Sequence, residues 1–185
     1  MTMSASDRSA VCVWTVPVRL FHWSLAASVI IAWAISETSR PLHEYAGYAA
    51  AGLILWRLAA GVVGGHYTRF SQFVRAPSAI ASYVMDIFLG RERRYIGHNP
   101  AGGAMVITLL TLVGLIALTG WMQTTDTYWG VAWVESTHKF LGNVIVAFVG
   151  LHVAGVILAS FRHHENLVGS MISGRKRAPS ADDAA

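Results

Sequence analysis

The chain has 185 residues, 54% of them hydrophobic and only 13% charged, with a mean hydropathy of +0.47. That balance excludes an ordinary water-soluble domain. The net charge of +4 comes without any aromatic-basic recognition module, which excludes nucleic acid as the partner that the charge serves.

Hydrocarbon about 30 Å thick needs roughly 20 apolar residues per helix. Four such runs stand out, at 18–36, 43–63, 103–123 and 138–160. They predict an all-α protein, an integral membrane four-helix bundle over 13–177, flanked by disordered segments at 1–12 and 178–185. Basic residues sort the connections. Residues 64–102 hold Arg69, Arg75, Arg91, Arg93 and Arg94, the tail holds Arg162, Arg175, Lys176 and Arg177, and the start adds Arg8 and Arg19. The connection at 37–42 has only Arg40, and 124–137 has no Lys or Arg but carries Asp126 and Glu135. By the positive-inside rule both termini and the long middle connection are cytoplasmic, and the positive charge serves membrane lipid.

The first span opens with VWTVPVRLFHW, where Pro17 suits the first turn of a helix. It has no convincing small-x-small cleavage site, so it reads as a retained helix and not as a signal peptide. Arg19, Phe21, His22 and Trp23 then fall at the inner interface. His22 is either a headgroup-region anchor beside Trp23 or a ligand.

The second span, beginning PLHEYAGY, enters from the outer face and places His43 near it, with Gly47 one turn on. In the middle connection Ile80, Tyr83, Val84, Ile87 and Phe88 recur at helical spacing after Pro77. That predicts an amphipathic helix in the inner interface, with Arg91, Arg93 and Arg94 pinned to headgroups.

Asn99 and Pro100 start the third span, His98 stands at its cytoplasmic mouth, and the span itself has no histidine. Its glycines at 102, 103, 114 and 120 mark it as a packing helix. The outer connection 124–137 carries Tyr128, Trp129 and Trp133, an interfacial aromatic belt.

The last span holds His138 and His152, 152 − 138 = 14 residues apart. Four helical turns separate them by roughly 21 Å along one face. Gly142 follows His138 by the interval at which Gly47 follows His43, leaving room for a flat macrocycle. An ionisable group inside an apolar span is costly, and by default it faces the bundle interior or a functional cavity. Either histidine alone reads equally well as a neutral side chain hydrogen-bonded to a neighbouring helix.

Depth decides the pairing: His43 lies level with His138 on the outer side, and His22 with His152 on the inner side. A six-coordinate haem iron takes one imidazole from each of two facing helices, so these pairs outline two stacked sites. The lone Cys12 cannot form an internal disulfide and no C-x-x-C-H occurs, so any haem at these sites would be non-covalent, of b type, and two sites would take two haem b. Beyond the span His163 and His164 read as surface residues.

The motifs VRLFHW, LHEYAGY, RYIGHNPAGGAMV, ALTGW and H-x13-H followed by ASFRHHENLVGSMISGRKR resemble the bacterial cytochrome b561 family. More broadly the chain is similar to the b-type cytochrome subunits of nickel-iron hydrogenases and formate dehydrogenases. The resemblance covers about 13–177. It implies a di-haem inner-membrane cytochrome ligated by His22, His43, His138 and His152, the four that spacing selects.

Such a protein is expected to pass electrons between a periplasmic redox protein, a c-type cytochrome first, and the quinone pool, with Arg19 or His98 contacting quinone or haem propionate. Longer outer segments are expected of a hydrogenase-type subunit, and the two outer connections here are short. A cytochrome b subunit of a hydrogenase-type complex and a superoxide or quinone oxidoreductase acting alone are the alternatives, and a homodimer is compatible with either. From a different class, the same histidines would serve a metal-binding or transport bundle. The absence of an internal repeat or broken helices speaks against transport.

Overall fold

The computed structural model describes residues 10–65, 67–181, 183 and 184. The expectation of disorder at 1–9 lies outside the described residues. In chain order the elements are β1 (Ala10–Cys12), α1 (Val16–Ala34), α2 (Arg40–Val63), α3 (Pro77–Leu89), α4 (Pro100–Met122), α5 (Ala132–Arg162), α6 (Leu167–Ser173) and β2 (Arg175–Arg177). A single 3-10 turn at Phe70–Gln72 precedes α3. By length and apolar composition α1, α2, α4 and α5 can each cross a membrane.

α5 starts six residues before the apolar run that announces it, since 138 − 132 = 6. Glu135, Ser136 and Thr137 interrupt the hydropathy but not the helix, because no Gly or Pro falls between Ala132 and His138. Ser136 Oγ folds back onto the Ala132 carbonyl at 2.8 Å, and Glu135 in the first turn suits the positive end of the helix dipole. Trp133 and Glu135, expected in a loop, are therefore helical.

The chain divides into two compact units. One comprises 20–62 and 107–151. Its buried apolar residues are Ala50 and Ile54 of α2, Leu110 and Val113 of α4, and Val134 and Ile145 of α5. Leu20, Ile30, Leu55, Val62, Leu118 and Phe140 are exposed on the same helices. Apolar side chains all around a helix require a hydrocarbon solvent, as the composition anticipated. Arg40 lies over the Trp129 ring at 4.1 Å, and Tyr48 Oη is 3.2 Å from Thr124 Oγ1.

The other unit comprises 1–19, 63–106 and 152–185. Residues 10–12, which the sequence reading placed with the disordered start, form β1 and pair antiparallel with β2, Ala10 opposite Arg177 and Cys12 opposite Arg175. Three residues, Ala10, Val11 and Cys12, are too few to show a strand period, and the partner stands more than 160 residues away, at 177 − 10 = 167. Beyond β1, the Gly174 carbonyl accepts from the amides of Val13 (2.9 Å) and Trp14 (3.1 Å). Gly174 has φ +83°, and a Cβ there would stand 2.6 Å from the Trp14 carbonyl oxygen. Only glycine meets both demands. Asn166 caps α6 by accepting from the Gly169 amide at 2.7 Å.

α3 forms where the periodicity placed it, with Pro77 in its first turn and Gly90 as its left-handed C-cap. Met85, Phe88 and Leu89 are exposed while Tyr83 is buried, an amphipathic division. The arginines beyond it do not all reach outward. Arg94 is 5% exposed and pairs with Glu165 at 2.6 Å and with Asp183. Lys176 donates to the Tyr95 carbonyl at 3.1 Å and stands 3.3 Å from Glu165. The expectation that Arg94 is pinned to headgroups is corrected. Two carboxylates at hydrogen-bond distance outcompete lipid, and the Ala184 amide donates to the Arg94 carbonyl at 2.8 Å.

Burial raises the Glu165 carboxyl, but the Arg94 hydrogen bond and the Lys176 charge outweigh it and hold the group below the usual carboxylate range. Asp183 is likewise depressed: desolvation opposes ionisation, while the Ser180 amide and Arg94 favour it. At the end of α5, Arg162 bonds Glu92 at 2.7 Å and the Ile87 carbonyl at 2.6 Å, tying that helix end to α3.

Candidate functional site

Of the four candidate ligands, His43 and His138 face each other within one unit. Their ring centroids are 5.9 Å apart and their planes meet at 82°. Both rings are partly buried.

Each ring is held by its Nδ1. His43 Nδ1 lies 2.8 Å from the Ala32 carbonyl oxygen, and His138 Nδ1 lies 3.1 Å from the Ile116 carbonyl oxygen and 3.1 Å from Thr119 Oγ1. A carbonyl only accepts, so both Nδ1 atoms carry the proton and both Nε2 atoms keep their lone pair. This tautomer is the one a metal-ligating histidine needs, with the outer nitrogen oriented by a backbone acceptor.

The local sequence explains the arrangement. His43 sits in the first turn of α2, where the chain has just turned back from α1, so the last full turn of α1 supplies the Ala32 carbonyl. Thr119 in α4 spends its hydroxyl hydrogen on the Leu115 or Ile116 carbonyl, at 2.9 and 3.1 Å, which leaves its lone pairs toward the imidazole. Gly120 lets the ring approach: a Cβ there would stand 3.0 Å from His138 Cε1. At Gly47 and Gly142, one turn from each histidine, an added Cβ would meet no atom within 4 Å.

These features fit a haem. An iron bonded to two imidazole nitrogens at about 2 Å each sets the ring centroids roughly 6 Å apart, close to what His43 and His138 show. A bare ion needs more donors, and among the described residues no group of three or more His, Cys, Asp or Glu gathers to hold one. The sequence reading treated α4 as a packing helix and missed the orienting role of Thr119 and Gly120. Their only signal was the ALTGW motif.

His22 belongs to α1, partly buried, its ring edge-on to Trp23 at 5.0 Å. His152 lies in α5, also partly buried. These two fall in different units. Arg19 donates to the Ile172 carbonyl. His98 lies against the rings of Trp14 (4.8 Å) and Phe73 (4.7 Å). In the same unit, therefore, both residues suggested for quinone or propionate contact are engaged with protein groups.

The family model for prokaryotic cytochrome b561 matches residues 13–174. The chain belongs to the prokaryotic cytochrome b561 family. It is thus a multi-pass membrane cytochrome of b type, a haem-carrying electron-transport protein of helical build. Three curated relatives carry the description "Probable Ni/Fe-hydrogenase B-type cytochrome subunit". That of Bradyrhizobium diazoefficiens is 27% identical, covering 94% of this chain and 88% of the relative. That of Rhodobacter capsulatus is 26% identical, covering 94% and 84%. That of Rhizobium leguminosarum bv. viciae is 25% identical, covering 97% and 94%. No solved structure is a significant match to the chain.

Proposed function

We propose that this cytochrome b holds two haems, through His43 with His138 and through His22 with His152, and carries electrons across the bacterial inner membrane. Its partners on this reading are a periplasmic redox protein and the quinone pool. The observation that supports the reading is the paired Nδ1 anchoring of His43 and His138, which leaves Nε2 as the lone-pair nitrogen of each ring while the two ring centroids stand 5.9 Å apart.

Haem held by these histidines would supply one-electron chemistry, and a second imidazole on the same iron would leave no site for oxygen. The chain's own residues do the rest. Ala32, Ile116 and Thr119 fix the two rings, and Gly47 and Gly142 leave their flanks clear. The 14-residue interval between His138 and His152 on the continuous helix α5 sets the second site about 21 Å along the axis from the first. The basic middle connection and tail orient both termini to the cytoplasm, which puts the His43 end at the periplasm.

The short connections at 35–39 and 123–131 favour a small outer partner such as a c-type cytochrome. A second reading, a hydrogenase-type complex, is favoured by the description that the relatives share. Spectra of the purified protein test the core: two low-spin b-type haems per chain, with one lost in His43→Ala or His138→Ala and the other in His152→Ala. A chain that keeps both haems in His138→Ala sinks the outer assignment. Copurification of hydrogenase subunits with the tagged protein selects the second partner.

A further inference from the structure

Arg57 of α2 is 4% exposed, a buried guanidinium within a span long and apolar enough to cross a membrane. An arginine at such depth faces the bundle interior by default and marks a functional group there. It lies 57 − 43 = 14 residues after His43, the same interval that separates His138 from His152. Four turns of helix bring Arg57 back to about the face that His43 turns toward His138, roughly 21 Å further along.

Its level is fixed by a contact inside the unit. Phe21 of α1 and Trp56 of α2 lie against each other, ring centroids 5.6 Å apart and planes tilted by 31°. Their immediate successors are His22 and Arg57, so a ligand candidate and a buried cation stand at one depth on two packed helices.

We infer that Arg57 binds the carboxylate edge of the haem that His22 holds, its propionates serving as an anionic ligand of the guanidinium. This rests on the di-haem reading above. The guanidinium's planar fork matches a carboxylate in a way a point charge does not. A cation held there in low dielectric also favours the reduced over the oxidised iron, which raises the midpoint potential of that haem alone.

The test is potentiometric titration of the haems in purified wild-type protein and in Arg57→Gln and Arg57→Lys. The reading beneath is checked first by haem-to-protein stoichiometry: one haem per chain in the wild type overturns both the reading and this inference. With two haems present, Arg57→Gln is expected to lower the potential of one component, or to lose that haem, while the other stays in place. The affected component is the one missing from His22→Ala, and Arg57→Lys shifts it less than Arg57→Gln does. Unchanged potentials and haem content in Arg57→Gln overturn the inference and leave the di-haem reading standing. Equal loss of both components in Arg57→Gln and Arg57→Lys overturns it too, because a general assembly role, and not a bond to one haem, then explains the burial.

Discussion

Thr119 Oγ1 lies 3.1 Å from His138 Nδ1, and the next residue, Gly120, offers its bare backbone to the same ring. One residue holds the imidazole and its neighbour makes room for it. If His138 ligates haem as proposed, Thr119→Val leaves the Ile116 carbonyl to keep the tautomer, and haem affinity at this site is expected to fall by about 10-fold, the mild end for losing an outer partner of a metal ligand. Gly120→Leu displaces the ring itself and is expected to lower affinity by about 100-fold. Haem titration of the apoprotein measures both, and equal effects of the two changes would contradict this division of labour.

Arg94, Glu165, Lys176 and Asp183 form a buried charged cluster that a single deletion should upset. Glu165→Ala leaves two cations facing each other with less anion between them, and is expected to cost about 3–5 kcal/mol of the stability of the unit that holds the cluster. Chemical denaturation followed by hydrogen exchange in this unit reads that loss. An unchanged exchange profile would mean the ion pairs contribute nothing.

The same cluster has a pH signature. Glu165 and Asp183 both titrate below their ordinary values in the folded chain. Groups with depressed folded values stabilise fully above the unfolded values, near 4, and that contribution disappears as pH falls through the lower folded ones. The Ala184 amide, bonded to the Arg94 carbonyl at 2.8 Å, should therefore stay protected at neutral pH and open only below about pH 4. Exchange measured by mass spectrometry against pH gives the midpoint, and opening near neutrality would contradict the assignment.

Gly174 carries the turn between α6 and β2 at φ +83°, with the Trp14 carbonyl beside it. Gly174→Ala is expected to cost about 1–3 kcal/mol and to expose the Arg175–Arg177 strand. Faster tryptic cleavage at those basic residues would show it.

Phe88 is 79% exposed on α3, beside exposed Met85 and Leu89. If this face lies in the membrane interface, a spin label at Phe88→Cys in a Cys12→Ser background is relaxed more by dissolved oxygen than by a water-soluble reagent. The opposite order would place α3 in water.

The residues themselves announced much of this. Runs of about 20 apolar residues need no partner to declare a spanning helix, since hydrocarbon demands internally satisfied backbone. A histidine inside such a run is anomalous at sight, so His43 and His138 were legible, and their depths followed from counting residues. Sequence alone determined the helical membrane class and the four apolar helices, and it nominated the candidate ligands. It could not determine which backbone carbonyls hold the rings, because Ala32 and Ile116 have ordinary side chains and act through main-chain oxygens placed by packing. Nor could it pair β1 with β2 or turn Arg94 inward to Glu165 and Asp183. Those contacts join residues distant in the chain, and only the tertiary structure decides which charge finds which partner before lipid does.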